Sequence, residues 1–573
     1  MPTTTAETKV IGEKELIVRT SELKKFWEPR NKEFKNWYKT LELVDILARE
    51  NMESFVGNDP RSSYNLLLHM LDDKIPHRIP ADQMETSILE PAKQLERFFA
   101  YAWEDVYRVH RLKGRSGFMR DFIGLLLATG WYALFSTIPT NGERVIVEVW
   151  NPAEVFPFWG EGLDEVAHIF PLSEQSARSL SFRNQWPDFV KKGTNEVRDY
   201  WYIDMGGKVH NAILLNQKLV KPDTLEGRHK EIPIFVGVTG GLPDSGPLGE
   251  SSDSWKKELG QGHIATNMSI YKAWNKWWTF SMQLLRDTAQ PRWFERSRSG
   301  KGILREADMF KRGAIFRGGP EDSVNPLETL SIPVELRSAQ LDMEAMMQRG
   351  GVSWAAQGNM QGQTTSYMMA QVVSSTAQVA KPYHQAVINA ITDIDNQWLR
   401  HMREYRAKPY GIGLPQGLPE TATVSAAYEI RIPGDLLQRA TTAKILDPNF
   451  KISYRKNIEL LFPEIHNPIV ELANTVTDEA RRHPVNAAIA LIQHFETQAE
   501  ASRKKRDTNT AKRFEAAAKM VEASMQTMLP QGPTQTQLGN QMPPPGQPPQ
   551  SGQSEEESPG IPSSAAPSEI PRV

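Results

Sequence analysis

The segment 296–302 reads Arg-Ser-Arg-Ser-Gly-Lys-Gly, and a lysine between two glycines beside two arginines is a composition that can hold phosphate. A nucleotide-binding P-loop also needs a glycine at the head of its Gly-x4-Gly-Lys run and a Ser or Thr after it. Backbone N–H groups must wrap the phosphates and a hydroxyl must reach magnesium. Here those places hold Glu295 and Gly302, so no ATP site is expected. Between Arg286 and Arg317 there are nine Lys/Arg against four Asp/Glu, a local positive excess. Arg292, Arg296, Arg298, Lys301 and Arg305 are therefore candidate contacts for DNA phosphates or for a partner's acidic surface. The ordinary reading is a solvated turn with basic decoration.

Other catalytic constellations are absent from the sequence. There is no Gly-x-Ser-x-Gly elbow, no His-Glu-x-x-His run, and no clustered His/carboxylate pattern with metal spacing. The scattered His69, His77, His384 and His494 read as core or surface residues. The carboxylate pairs Asp72-Asp73 and Asp393/Asp395 do not face each other on a helix, so solvated charge is their expected state. The chain has no cysteine, which excludes disulfides, thiolate zinc sites and a cysteine nucleophile. No cofactor is expected.

Two further features invite a role. Trp274, Trp277 and Trp278 lie within one aromatic-rich helix expected over 263–285. Exposed, they would stack on single-stranded bases; packed, they would meet neighbouring helices, a second copy of the chain included. The second feature is the uncharged break Gln357-Gly-Asn-Met-Gln-Gly-Gln-Thr-Thr365. Its candidate contact residues are Gln357, Asn359, Gln361, Gln363, Thr364 and Thr365. Amides and hydroxyls make weak, interchangeable contacts, which suits a surface that touches a sliding phosphate backbone without retaining it.

The composition bounds the rest. A chain of 573 residues should hold several domains. Hydrophobic content of 39%, charged content of 24% and a net charge of -2 describe a soluble globular protein that is no polycation. Met1-Pro-Thr-Thr-Thr lacks a signal-peptide pattern, and the longest apolar run, 122–135, is too short to span a membrane and reads as a buried helix.

The elements that must position these residues follow from periodicity. An amphipathic helical region is expected over 15–55, a turn at Asn58-Asp-Pro-Arg61, a short helix at 65–71, extended chain at 75–80 and a helix over 87–114. A β-rich block follows, with strands at 145–150, 164–170, 197–203 and 232–237 and a proline-punctuated turn at 151–160. Pro291 must end the aromatic helix. Further helices are expected over 333–348 and over 366–408, the latter kinked near Pro382. A short strand at 424–432 and helices at 447–462, 467–495 and 496–528 complete the pattern. The Pro/Gln/Gly/Ser-rich stretch after Pro530 should be disordered.

This order of parts resembles the portal (head-to-tail connector) proteins of tailed bacteriophages. The residues that carry the resemblance are Asn151-Pro-Ala-Glu-Val-Phe-Pro-Phe-Trp-Gly followed by Leu163-Asp-Glu-Val, and Thr364-Thr-Ser-Tyr-Met-Met-Ala-Gln371 at the start of the long helix. With them goes the succession helix, basic segment, helix, polar loop, long helix, over roughly 20–525.

The resemblance implies an α+β, predominantly helical, portal-type fold assembled as a ring of twelve. The wing would be 1–249, the first stem helix 250–289, the clip 290–332 and the second stem helix 333–356. The tunnel loop would be 357–365, the long helix and wing return 366–446, the helical crown 447–529 and the disordered tail 530–573. It further implies a non-enzymatic channel at one capsid vertex of a virion assembled in the host cytoplasm. The channel would conduct double-stranded DNA during packaging and ejection. Its partners would be the terminase large subunit, head-completion and tail adaptor proteins, and the major capsid and scaffold proteins, with no membrane. Two other classes compete: a nucleic-acid-processing enzyme with an unrecognised site, and another virion structural protein such as an adaptor or scaffold.

Overall fold

The computed structural model describes residues 11–45, 48, 54–80, 88–139, 142–243, 249, 251, 253–289, 293–298, 300, 319–326, 334–352, 366–428, 430, 471, 473, 475–478, 484–504 and 507–528. The chain divides into two compact units, 1–471 and 472–573.

The first unit is a mixed helical and sheet body. Its helices are α1 (Glu13–Phe26), α2 (Glu28–Leu41), α3 (Asp59–Leu71), α4 (Leu89–Leu112) and α5 (Phe118–Thr129). Between α3 and α4 lies the two-residue strand β1 (His77–Arg78). The region expected as one helix over 15–55 breaks at Trp27, because Pro29 lacks the N–H that would continue α1 and instead suits the first turn of α2. The same chemistry corrects Asn58-Asp-Pro-Arg61: Pro60 sits in the first turn of α3, so the turn signal is a helix start.

The apolar run 122–135 is also corrected. It is helix only to Thr129; Gly130 takes φ +70° and the chain leaves as strand β2 (Trp131–Thr137). The β-branched and aromatic residues beyond Gly130 favour the extended state.

Two antiparallel sheets follow. One has the order β3-β2-β9, with β3 (Ile146–Trp150) and β9 (Ile234–Val238) flanking β2. The other is a five-strand meander of β4 (Val155–Trp159), β5 (Leu163–Leu172), β6 (Asn195–Ile203), β7 (Val209–Leu215) and β8 (Lys218–Leu225). The expected turn at 151–160 is thus a one-turn 3-10 helix, capped by the Asn151 side chain, that leads straight into β4. The short helix α6 (Glu174–Arg183) joins β5 to β6.

The rest of the unit comprises α7 (Ser254–Glu258), α8 (Met268–Ala289), strands β10 (Trp293–Arg296) and β11 (Ser323–Pro326), α9 (Val334–Gly350) and α10 (Ser366–Glu404). Pro382 lies inside α10. Of the strand expected at 424–432, the described residues show β12 (Ser425–Ala426), paired antiparallel with β1.

The largest core cluster joins α3, α4, α5 and α10 and includes Phe99, Trp103, Phe122, Ile394 and Trp398. Asp395 belongs here, not to solvent: it is fully buried and accepts from Trp103 Nε1 at 2.8 Å, with His77 Nδ1 at 2.6 Å. Asp393 remains exposed, as expected. A second cluster gathers Trp27, Phe34, Trp37, Trp131, Tyr271, Trp274 and Met347. In it the buried Arg30 guanidinium lies over four rings, Trp131 at 4.5 Å and Trp27 at 4.9 Å being nearest.

The second unit contains a helical hairpin of α11 (Pro484–Lys504) and α12 (Thr508–Met528). Its seam buries Ala499, Ala511 and Ala518, with Phe495 stacked on Phe514 at 6.2 Å. α11 does not end at 495 but runs on to Lys504, because small alanines carry the apolar stripe past that point. The helix expected at 447–462 and the stretch 530–573 lie outside the described residues.

His168, on β5, is sandwiched between Trp150 at 3.9 Å and Phe170 at 4.4 Å, and burial pushes its pKa down to about 3. The unfolded chain binds that proton near pH 6.5, so stability is full above 6.5 and is lost as pH falls towards 3. In urea titrations at pH 7 and pH 5, His168→Phe should shrink the stability difference by about 2 kcal/mol relative to wild type. An unchanged difference would mean that His168 is not buried neutral.

Candidate functional site

The residues that could touch a partner or a polymer sit on α8, the β10–β11 pair and α9, so their placement starts at the root of α8. The lead-in to that helix crosses the C-terminus of α5. The His263 N–H donates to Leu127 O at 2.9 Å, and the Gln261 N–H to Thr239 O at 3.1 Å. A Cβ on Gly262 would lie 2.3 Å from Ala128 O, so only glycine lets the two backbones approach.

From this root α8 and α9 pair. Asn267 Nδ2 donates to Met347 O at 2.9 Å, and Gly350 leaves room for the Asn267 side chain, which a Cβ there would meet at 2.0 Å. The segment before α3 lies against α8. The Gly57 N–H donates to Asn275 Oδ1 at 2.9 Å, the Phe55 N–H to Thr279 Oγ1 at 3.0 Å, and the Phe55 ring packs on Trp278 at 5.4 Å.

The three tryptophans are therefore placed as follows. Trp274 is buried within this chain, in the second core cluster. Trp277 and Trp278 are half-buried and meet edge to face at 5.1 Å. The indole N–H groups of both are buried without a hydrogen-bond partner.

Past Trp278 the core clusters end, yet large apolar residues continue. Phe280 is 64% exposed, Leu341 63%, Phe294 57%, Leu285 55% and Met346 51%, and Trp293 is also exposed. On α9 the exposed residues Arg337, Leu341 and Ala345 recur at four-residue spacing and form one stripe, and the exposed Met346 lies on another side of the helix. Sequence reasoning missed these six apolar residues. The available signal was that apolar residues fall on most sides of α8, more than one chain's core can cover.

Strands β10 and β11 pair antiparallel from Trp293↔Pro326 to Arg296↔Ser323. Asp322 pins the far end, accepting from the Gly319 N–H at 2.6 Å and the Arg298 N–H at 3.1 Å. Those two donors, Gly319 first, hold its carboxyl below the usual range. Arg296 is exposed, and the Arg298 guanidinium lies 3.3 Å from Glu321 in an exposed pair. Such a pair contributes ~0–1 kcal/mol and leaves the arginine available to an anion. Arg292, Lys301 and Arg305 lie outside the described residues, as do Gln357, Asn359, Gln361, Gln363, Thr364 and Thr365. Among the described residues no group of three or more His, Asp or Glu could hold a metal ion, and no helix is long and apolar enough to cross a membrane.

No family model matches the chain, and no curated protein does. Solved structures do. A chain from the neck of an empty gene transfer agent particle, computed with C6 symmetry, aligns at TM-score 0.37 and 12% identity, over 70% of this chain and 88% of that one. A chain from the neck of the native particle, computed with C12 symmetry, aligns at TM-score 0.36 and 12% identity over the same shares. One from the virion of the native particle gives 0.38 and 14%, again over 70% and 88%.

Asn267 is the polar bolt between the two helices. Asn267→Ala leaves the buried Met347 carbonyl unpaired and should cost about 1–3 kcal/mol of unfolding free energy, read by urea titration. A loss under about 0.5 kcal/mol would mean that the pairing rests on the apolar contacts alone.

Proposed function

We propose that this chain is the repeating subunit of a portal-type ring at one capsid vertex of a virion, and that it works without catalysing a reaction. The observation that carries the reading is the α8–α9 pair. It is rooted by buried hydrogen bonds and glycine contacts, carries a β-ribbon at its far end, and bears exposed large apolar residues that no part of the described chain covers. A single copy has no use for Phe280, Leu285, Leu341 and Met346 in water. Repetition of the same surface around a closed ring buries them against the next copy.

In this reading 250–289 and 333–356 are the stem, 290–332 the clip, 1–249 the wing, 447–529 the crown and 366–446 the long helix and wing return. The clip offers Arg296 and Arg298 to a terminase large subunit and later to tail adaptors. The loop 357–365 offers Gln361 and Gln363 to double-stranded DNA. Neutral amides there lower retention, since each added cation would increase a salt-dependent hold on the phosphates. Capsid and scaffold proteins would surround the assembled ring during formation in the host cytoplasm.

Native mass and negative-stain imaging of the purified chain test the assembly. Twelve copies of 64.8 kDa give about 780 kDa and a radial particle with a central hole. The double variant Phe280→Glu, Leu341→Glu should keep the monomer's thermal midpoint and abolish the ring. A chain that stays monomeric or dimeric at high concentration sinks the reading and returns the enzyme class to first place.

The loop carries a separate expectation. Gln361→Lys with Gln363→Lys should slow DNA translocation in a packaging assay, the more so at low salt. Unchanged rate and yield would remove DNA contact from this loop while leaving the ring intact.

A further inference from the structure

The second unit carries a charge segregation that the ring does not require. Residues 503–513 hold six Lys/Arg and one acid, Asp507, whereas 484–502 hold two acids and no Lys/Arg. The rest of α12, from Phe514 to Met528, holds Glu515, Lys519 and Glu522. Positive charge is thus gathered at the turn end of the α11–α12 hairpin, in a chain whose net charge is -2.

Helix stability explains only part of this. Arg503 and Lys504 end α11, where cations complement the helix dipole, and Arg503 is paired with Glu515. Lys512 and Arg513 stand in the second turn of α12, past the reach of the dipole at its start, and both are exposed, Arg513 near enough to Asp507 to favour its carboxylate. That end of α12 is already capped by Asp507, which accepts from the Thr510 N–H at 3.1 Å. Lys504 and Lys512 make no ion pair among the described residues. The neutral residues between them are Thr508, Asn509 and Thr510, which are hydrogen-bonding types, and the small Ala511; no large apolar side chain occurs between Phe495 and Phe514.

We infer that this turn, through Lys504, Lys512 and Arg513, is a binding surface for the phosphate backbone of duplex DNA, independent of base sequence. A cationic tip with hydroxyl and amide neighbours matches the side chains that contact phosphates. A membrane surface would call for apolar residues to insert beside the cations, and the tip has none. The inference does not rest on the α8–α9 pair, so the ring reading can fail while this one stands.

The test is fluorescence anisotropy of the full-length chain with a labelled 30-base-pair duplex, from 50 to 200 mM salt. The variant is Lys504→Gln, Lys512→Gln, Arg513→Gln, which keeps good helix formers at all three positions. Losing three phosphate contacts at a slope of about 0.9 each should shrink the fall in affinity across that range by about 40-fold. The charge-keeping variant Lys504→Arg, Lys512→Arg, Arg513→Lys should bind as wild type. A surface control, Lys191→Gln with Lys192→Gln, exposed just before β6, should leave the slope within about one unit of wild type. No measurable duplex binding at 50 mM salt, or a slope unchanged by the triple variant, overturns the assignment. So does binding to phosphatidylserine vesicles that equals or exceeds binding to the duplex.

Discussion

The backbone around Gln261 is the point on which the geometry of the first unit depends. Its carbonyl accepts from the Tyr383 hydroxyl at 3.0 Å, its N–H donates to Thr239 O at 3.1 Å, and it passes so close to Gly130 that a Cβ there would lie 2.3 Å away. One residue's main chain thus fixes α10, the end of β9, the end of α5 and the start of α8 relative to one another. The flanking glycines make this possible and make it strict. Gly130 and Gly240, both at positive φ, and Gly262 all sit where a side chain would strike backbone. The direction in which α8 leaves the body is therefore set by main-chain contacts, which do not relax as side chains do.

Polar groups buried on either side of this node hold the surrounding helices. Asp395 draws Trp103 of α4 and His77 of β1 onto α10, and Trp398 Nε1 reaches Ser136 of β2 at 2.8 Å. These bonds fix the register of a long helix that apolar contact alone would let slide. Arg30 does the same for α2 by another route. Among the described residues it has no carboxylate partner; its charge is met by ring faces and by the carbonyls of Pro152 and Val155. Burial without a counter-ion pushes its pKa down to about 9. Both arrangements cost desolvation and return a single alignment of helices on the sheets.

The helices and strands were readable where a periodic pattern was long, as in α4, α8 and α10, and the sheet where alternation was clean, as in β3 and β5. The misses share a cause: a local rule was applied without its neighbours. Pro60 read as part of a turn and Pro29 passed unremarked inside a helical region; both are first-turn residues. Gly130 falls inside the run read as one buried helix and is the switch from helix to strand. Asp395 looked solvated because sequence spacing cannot show that Trp103 and His77, about 300 residues away along the chain, converge on it. The tryptophans of α8 were legible as an aromatic surface. Which residues that surface left over, Phe280 and Leu285 rather than Trp274, depended on the segment 54–57 lying across the helix.

That remainder bears on what kind of molecule this is. A subunit that must remain soluble until it assembles cannot display its strongest apolar groups in one broad patch. Here Trp274, the bulkiest anchor on α8, is consumed inside the chain, where it tightens the root. What is left outward is a few separate residues, Phe280 and Leu285 on α8 and Leu341 and Met346 on α9, among the exposed Lys272, Lys276, Arg337 and Asp342. Scattered apolar contacts of that kind are weak for a single encounter and would be strong if many copies closed on themselves, because the last contact in a ring forms without further loss of translational freedom. In the proposed ring, the glycine contacts would aim the helix pair, so that each copy presents the same exposed apolar residues to its neighbour around a closed circle.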